Sequence, residues 1–294
     1  MWSRVKSIIT YPIDAKLDDK GAYSPSPLTI LLATENKSKY KKQEYEVKYT
    51  GKKPILVICT DEELMEMENK TKFLTGNHPC EMLVPMLHFQ DAGFTFDFAT
   101  SSGGEVKLEM WAFPTKDENM ITLHKEMKEQ MENPKKICDI ISLDEYSAIF
   151  VPGGHGCMIN LPFSQELGKI LRMAHEQGMP IVSLCHGPSS LLSTIVDAHG
   201  KFERNDFPFK DYSIMCFTDK TDTFTPSVGY LPGHMPWKCQ ETLESKGIIV
   251  LNKTEKGLVH QDRELITGDS PSAAHNLGKF AAPIVVKWAN ENKT

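Results

Sequence analysis

Ile181-Val182-Ser183-Leu184-Cys185-His186-Gly187-Pro188 carries an unbroken apolar run straight into a cysteine and then a proline. Four consecutive apolar or small residues describe a strand covered on both faces. Pro188 suits the first turn of a helix. Ser183 and Gly187, two residues either side of Cys185, are small, as a crowded strand-to-helix turn requires. This is the logic of a nucleophile elbow with sulfur in place of oxygen. A following helix N-terminus would favour thiolate and lower the thiol pKa, with His186 as adjacent base or cation. A cysteine at a strand end is more often a buried small hydrophobe; the elbow setting makes Cys185 the expected nucleophile.

Working outward, similar apolar runs occur at Ile55 to Cys59, Phe94 to Ala99, Ala148 to Val151, Tyr212 to Phe217, Ile248 to Leu251 and Leu265 to Thr267. Helix-like segments lie between several of them: Pro79 to Ala92, Ser164 to Gln177, Pro188 to Val196, Pro236 to Lys246 and Ser272 to Ala289. The alternation predicts an α/β fold with a parallel sheet, whose ligands bind at the carboxyl ends of the strands. Ser101 to Leu143 breaks the rhythm with Gly103-Gly104, Trp111, Phe113 and a polar helix around Asp117 to Glu132. We read it as an insertion that joins the N-terminal residues in a small cap. The expected division is a core of 53–101 and 145–294, and a cap of 1–52 and 102–144.

Further constellations fall at strand ends. In Pro152-Gly153-Gly154-His155-Gly156 the glycines let backbone amides approach developing negative charge, which makes Gly153, Gly154 and His155 candidate oxyanion binders. A plain glycine turn is the bland alternative. Gly76-Asn77-His78-Pro79-Cys80-Glu81 opens a helix, and a Glu81 carboxyl beside a thiolate would be driven protonated and serve as a proton shuttle. Complementation of the helix dipole is the competing role. Asp219 and Asp222 are both candidates to orient His186. Thr267-Gly268-Asp269-Ser270-Pro271 reads as a turn with a helix cap. The remaining histidines show no ligand spacing.

Composition bounds the rest. The 294 residues are 40% hydrophobic and 24% charged, which excludes collagen-like, mucin-like and wholly disordered chains. The net charge of −6 argues against a general nucleic-acid binder, although residues 1–53 carry 11 Lys/Arg and 6 Asp/Glu. The Lys/Tyr run at 37–53 reads as a solvated linker. No apolar run spans a bilayer, and Met1 to Thr10 is too short for a secretory core. Seven scattered cysteines without a C-x-x-C pair suggest neither zinc nor a disulfide framework, and fit a reducing, cytoplasmic setting.

Together the Cys185 elbow, Pro152 to Gly156, Gly76 to Glu81 and Thr267 to Pro271 resemble the ThiJ/PfpI superfamily, most closely its HchA-type branch, over about Pro54 to Lys287. The resemblance implies a flavodoxin-like core with a smaller second domain and a homodimer. It implies a catalytic set of Cys185, His186, Asp219 and Glu81, with Asp222 aligning less well. It further implies a cofactor-free glyoxalase and deglycase, acting on 2-oxoaldehydes and on glycated proteins or nucleotides, and a stress-related holdase for unfolded clients. Some relatives carry a two-histidine, one-carboxylate metal site; the matching positions here are Gln90, Thr95 and Met127, which are poor ligands, so no metal is expected there. The expected chemistry is addition of the Cys185 thiolate to an aldehyde, an alkoxide held by Gly154 and His186 amides, proton transfer through Glu81 and His186, and hydrolysis of a thioester. The rival readings are a cysteine peptidase on small peptides and a chaperone without catalysis. A glutamine amidotransferase would want a late His-x-Glu, for which His260-Gln261-Asp262 is a poor substitute.

Overall fold

The structure, a computed structural model, describes residues 14–19, 21–197 and 199–292. The expectation for Met1 to Thr10 lies outside the described residues. In chain order, β1 (Lys16–Leu17), β2 (Ala22–Ser24) and the short helix α1 (Pro27–Ala33) precede β3 (Ile55–Ile58). A hairpin of β4 (Leu64–Glu66) and β5 (Lys72–Leu74) leads to α2 (Pro79–Asp91) and β6 (Phe96–Thr100). Next come α3 (Glu118–Glu132), β7 (Lys135–Lys136), β8 (Ala148–Val151), the single turn α4 (Cys157–Asn160), α5 (Gln165–Gln177) and β9 (Ile181–Leu184). The chain ends with β10 (Ser213–Ile214), α6 (Asp219–Phe224), α7 (Cys239–Ser245), β11 (Ile249–Val250), β12 (Val259–Asp262), β13 (Leu265–Gly268) and α8 (Ala274–Glu291).

Seven strands form the main sheet in the order β12-β13-β9-β8-β3-β6-β7, parallel except for the antiparallel β12. Every residue of β3, β8, β9 and β13 is buried, which is why these strands read as continuous apolar runs. Helices cover both faces. Along α5 the buried Leu167, Ile170, Leu171 and Ala174 recur at helical spacing. Ser164 Oγ caps that helix from its start (3.2 Å to the Leu167 amide) and Gly178 ends it in the left-handed conformation. Each fully buried Leu or Ile contributes about 1.5–3 kcal/mol. The mixed α/β class and the mostly parallel sheet agree with the sequence reading.

Three departures have physical causes. The runs at Tyr212 to Phe217 and Ile248 to Leu251 do not join the main sheet; they contribute β10 and β11 to a separate parallel pair. The edge they would occupy is taken by β12, which folds back on β13, and the Ser213 amide donates to Asp262 Oδ2 (2.8 Å) instead. The predicted helix over Pro188 to Val196 is a run of 3-10 turns, Gly187–Ile195, in which every residue is buried. The boundaries of the expected division also shift. Residues 64–74, assigned to the core, supply half of a second sheet, β1-β2-β5-β4, together with N-terminal strands. From the insertion, β7 pairs with β6 and extends the main sheet.

Candidate active site

The ends of β8, β9 and β13 and the start of α2 converge on Cys185. The residue sits in the left-handed region (φ 58°), the strained turn that an elbow requires. Neighbouring segments hold it there: its amide donates to Gly268 O and its carbonyl accepts from the Phe217 amide, both at 2.9 Å. Gly187 allows the crossing, since a Cβ there would strike Ser183 Oγ and lie 2.7 Å from Val151 O. Ser183 Oγ donates to that same carbonyl (2.9 Å).

Cys185 Sγ lies 3.3 Å from His186 Nδ1, and His186 Nε2 lies 2.8 Å from Asp222 Oδ2. Asp222 is therefore the third member. Asp219, the expected one, points elsewhere: its two carboxylate oxygens accept the amides of Gln240 (3.0 Å) and Glu241 (2.7 Å) at the start of α7. Both aspartates stand on α6, one turn apart, and the amides of α7 occupy the first. Burial alone would raise the Asp222 pKa, but His186 and His155 together hold it well below the usual carboxylate range. An ionised Asp222 accepts the hydrogen bond of His186 Nε2–H, which leaves Nδ1 as the acceptor facing the thiol.

His155 is also reassigned. The sequence expects it at an oxyanion hole, but its Nε2 donates to Asp222 Oδ1 (3.0 Å) and its Nδ1 stands 4.0 Å from Glu109 Oε1. Its ring lies against His186 with centroids 4.3 Å apart. The Gly153 carbonyl accepts from the His78 amide (2.9 Å). Gly153 provides close approach: a Cβ there would collide with Glu81 Oε2 and come within 2.7 Å of Cys185 Cβ. Gly154 takes φ +110°, and its Cα packs on the Gly76 and Asn77 backbone.

Glu81 is fully buried in the first turn of α2 and faces Cys185 across Gly153. Burial pushes its carboxyl well above the carboxylate range, with Glu109 and Asp269 adding to the rise. Burial pushes Cys185 up as well, and the facing Glu81 adds to that. The lowered thiol pKa expected from the sequence is thus overturned: at 4% exposure, desolvation outweighs the dipole of a short 3-10 segment. Thiol and carboxyl face each other in one buried site, and burial holds the proton on each.

Three functional positions had no strong sequence signal. Glu109 is buried, with Oε1 accepting from Thr75 Oγ1 (2.7 Å). Tyr230 packs on Trp111 (centroids 5.5 Å) and His155 (5.9 Å), and the field of Cys185, Glu81 and Glu109 adds to the burial that raises its phenol. The third, His78, lines a cavity of about 90 Å³ with Cys80, Lys37 and His275. Burial and His155 lower the His78 pKa to about 4, so it is neutral. His155, His186 and Asp222 have ligand atoms within 4.8 Å of one another and could hold a cation, at the cost of the hydrogen bonds that orient His186. Gln90 and Thr95 are exposed and Met127 is half-buried; Gln90 Nε2 reaches Glu126 Oε2 at 3.4 Å.

Comparison with known proteins adds three findings. The model of the DJ-1/PfpI family matches residues 73–201. The chain is 42% identical over 275 residues to protein/nucleic acid deglycase HchA of Pseudomonas aeruginosa, covering 92% of this chain and 93% of that one. It is 42% identical over 268 residues to protein/nucleic acid deglycase 1 of Escherichia coli, with 90% and 92% covered. Among solved structures, glyoxalase III from Candida albicans superposes with a TM-score of 0.58 at 19% identity, over 78% of this chain and 96% of that one, a likeness of fold.

Proposed function

The chain belongs to the DJ-1/PfpI family, and on that premise we propose that it is a glutathione-independent glyoxalase and a protein and nucleotide deglycase working through Cys185. The observation that carries the reading is the Cys185–His186–Asp222 line with Glu81 buried against the thiol. The names of the relatives, at 42% identity along most of the chain, support it.

Cys185 passes its thiol proton to His186 Nδ1 and adds to the aldehyde carbon C1 of a 2-oxoaldehyde, and Glu81 gives its proton to the new alkoxide O1. The hemithioacetal is then neutral and Glu81 is a carboxylate. Loss of the thiolate charge makes that ionisation easier, because burial beside a second negative charge was part of what held the proton. Glu81 removes the C1 proton and returns it to C2, converting the adduct to a 2-hydroxyacyl thioester. Water, giving a proton to the Glu81 carboxylate, attacks the thioester; the 2-hydroxy acid leaves and the Cys185 sulfur takes back the proton of His186. On a glycated amine the same thiol takes the adduct carbon and the amine leaves.

Glycated proteins or nucleotides and small dicarbonyls are the substrates on this reading. All seven cysteines are unbridged, which supports a reducing compartment. Among the described residues no helix is long and apolar enough to cross a membrane. A holdase role and a homodimer belong to the same proposal. The exposed Leu31 (65%) and Leu32 (77%) of α1 support an apolar contact surface.

The test is lactate formation from methylglyoxal without glutathione, with Cys185→Ser in parallel. Turnover is expected in the unmodified protein and at least 100-fold less in the variant, on the order of what removing a nucleophile costs. Turnover that survives the substitution overturns the mechanism. Suppression of client aggregation by Cys185→Ser would show that chaperoning is separate from catalysis.

A further inference from the structure

Isomerising the adduct needs proton traffic at two oxygens, O1 and O2, as well as at two carbons, and Glu81 accounts for only part of it. We infer that Glu109 is a second catalytic acid, which protonates and deprotonates the substrate oxygens and so restricts turnover to vicinal dicarbonyls. The inference rests on the function proposed above.

Glu109 comes from the insertion and is 1% exposed. Oε1 is fixed by Thr75 Oγ1 (2.7 Å), with His155 Nδ1 4.0 Å away. Oε2 is buried with no hydrogen-bond partner among the protein's atoms. Both oxygens of Glu81 and the Nδ1 of His78 are likewise buried without a hydrogen-bond partner. Buried polar atoms without partners are rare, and several in one place mark a site built for something polar. The two carboxyls belong to one site, since each lies close to His155 or the Gly153 turn, and Glu109 adds to the rise in the Glu81 pKa. Burial raises Glu109 itself, which favours a proton on the carboxyl. With Oε1 engaged as an acceptor, that proton is carried on Oε2.

The asymmetry divides the labour. As the Glu81 carboxylate takes the C1 proton, the C1–H electrons form the C1=C2 bond and the O2 carbonyl takes the proton of Glu109, giving an enediol. Glu81 then returns its proton to C2, C1=O1 forms, and the O1 proton passes to the Glu109 carboxylate. Both groups end as they began. A simple aldehyde has no O2, so it adds to Cys185 and goes no further. Tyr230 packs between Trp111 of the insertion (ring centroids 5.5 Å) and His155 (5.9 Å) at this end of the site.

The experiment compares Glu109→Gln with the unmodified protein. The amide keeps an acceptor for Thr75 and His155 but carries no transferable proton. Lactate formation is expected to fall about 10²–10⁴-fold, while Cys185 alkylation by iodoacetamide and the thermal midpoint stay near those of the unmodified protein. Loss of alkylation in parallel with turnover would reduce Glu109 to a structural role and overturn the inference, as would undiminished lactate formation. Thr75→Val keeps the volume and releases Oε1; if Glu109→Gln does not fold, a roughly tenfold fall in kcat with KM unchanged supports the inference and an unchanged kcat overturns it. No lactate from the unmodified protein would instead sink the underlying function.

Discussion

Asp222 and Asp219 offer the sharpest discrimination, because the sequence pointed to one and the geometry to the other. Asp222→Asn changes one oxygen for an NH2 at a carboxylate that accepts from His186 (2.8 Å) and His155 (3.0 Å). An amide has a single acceptor, so one of the two imidazoles loses its partner or reverses its tautomer. If His186 reverses, Nδ1 carries a proton and can no longer take one from the thiol 3.3 Å away. A hydrogen bond to an ionised group is worth about 1.5–3 kcal/mol, and one to two of them convert to roughly 10–10⁴ in rate. Asp219→Ala removes the acceptor for two α7 amides, at about 0.5–2 kcal/mol of stability. The assay is initial-rate lactate formation with thermal unfolding of each variant. Asp222→Asn should lose turnover and remain folded near neutral pH; Asp219→Ala should keep turnover and melt a few degrees lower. The pH dependence supplies a sign check. Asp222 has a folded pKa below its unfolded value, so its contribution is present above about pH 4 and is lost as pH falls through the folded value; Asp222→Asn should flatten that acid limb. An Asp219 variant that loses more activity than Asp222→Asn would refute the assignment.

Two other outcomes follow from the same geometry. Gly187→Ala puts a methyl against Ser183 Oγ and Val151 O, so it should destabilise by about 1–3 kcal/mol and slow iodoacetamide labelling of Cys185, read by denaturant melts and mass spectrometry. Glu81 binds its proton more tightly folded than unfolded, so it costs stability as pH rises above the ordinary carboxylate value of about 4.3. Glu81→Gln should therefore abolish turnover yet raise the thermal midpoint at pH 7 and remove its decline between pH 5 and 7; a lower midpoint at neutral pH would refute the buried, protonated carboxyl.

Much of this molecule was readable as local pattern. The strands of the parallel core showed as apolar runs because both of their faces are covered, and the elbow showed because only small residues fit beside a cysteine held at φ 58°. Glu81 could be placed because Pro79 marks a helix start. Patterns of this kind are set by neighbours within a few residues, which a sequence displays directly.

What followed from long-range packing was not legible. Asp219 and Asp222 are three residues apart and share a helix face; the choice between them depended on where the α7 amides arrive from 21 residues downstream. His155 was read as part of a glycine turn, and only the fold brings its ring to Asp222 across 67 residues. The thiol pKa was inferred from a helix terminus, whereas burial, a property of the packed whole, has the opposite sign and the larger effect. Glu109 has no motif around it, and its significance comes from Thr75 and His155 meeting one oxygen and nothing meeting the other. By itself the sequence determined the parallel α/β core, the elbow and its nucleophile, since these follow from short-range sterics and hydrophobic pattern. The tertiary structure alone decided that Asp222 and not Asp219 meets His186, that Glu109 stands at the site, and that burial raises the thiol pKa, because charge and desolvation depend on groups that are neighbours only after the chain has folded.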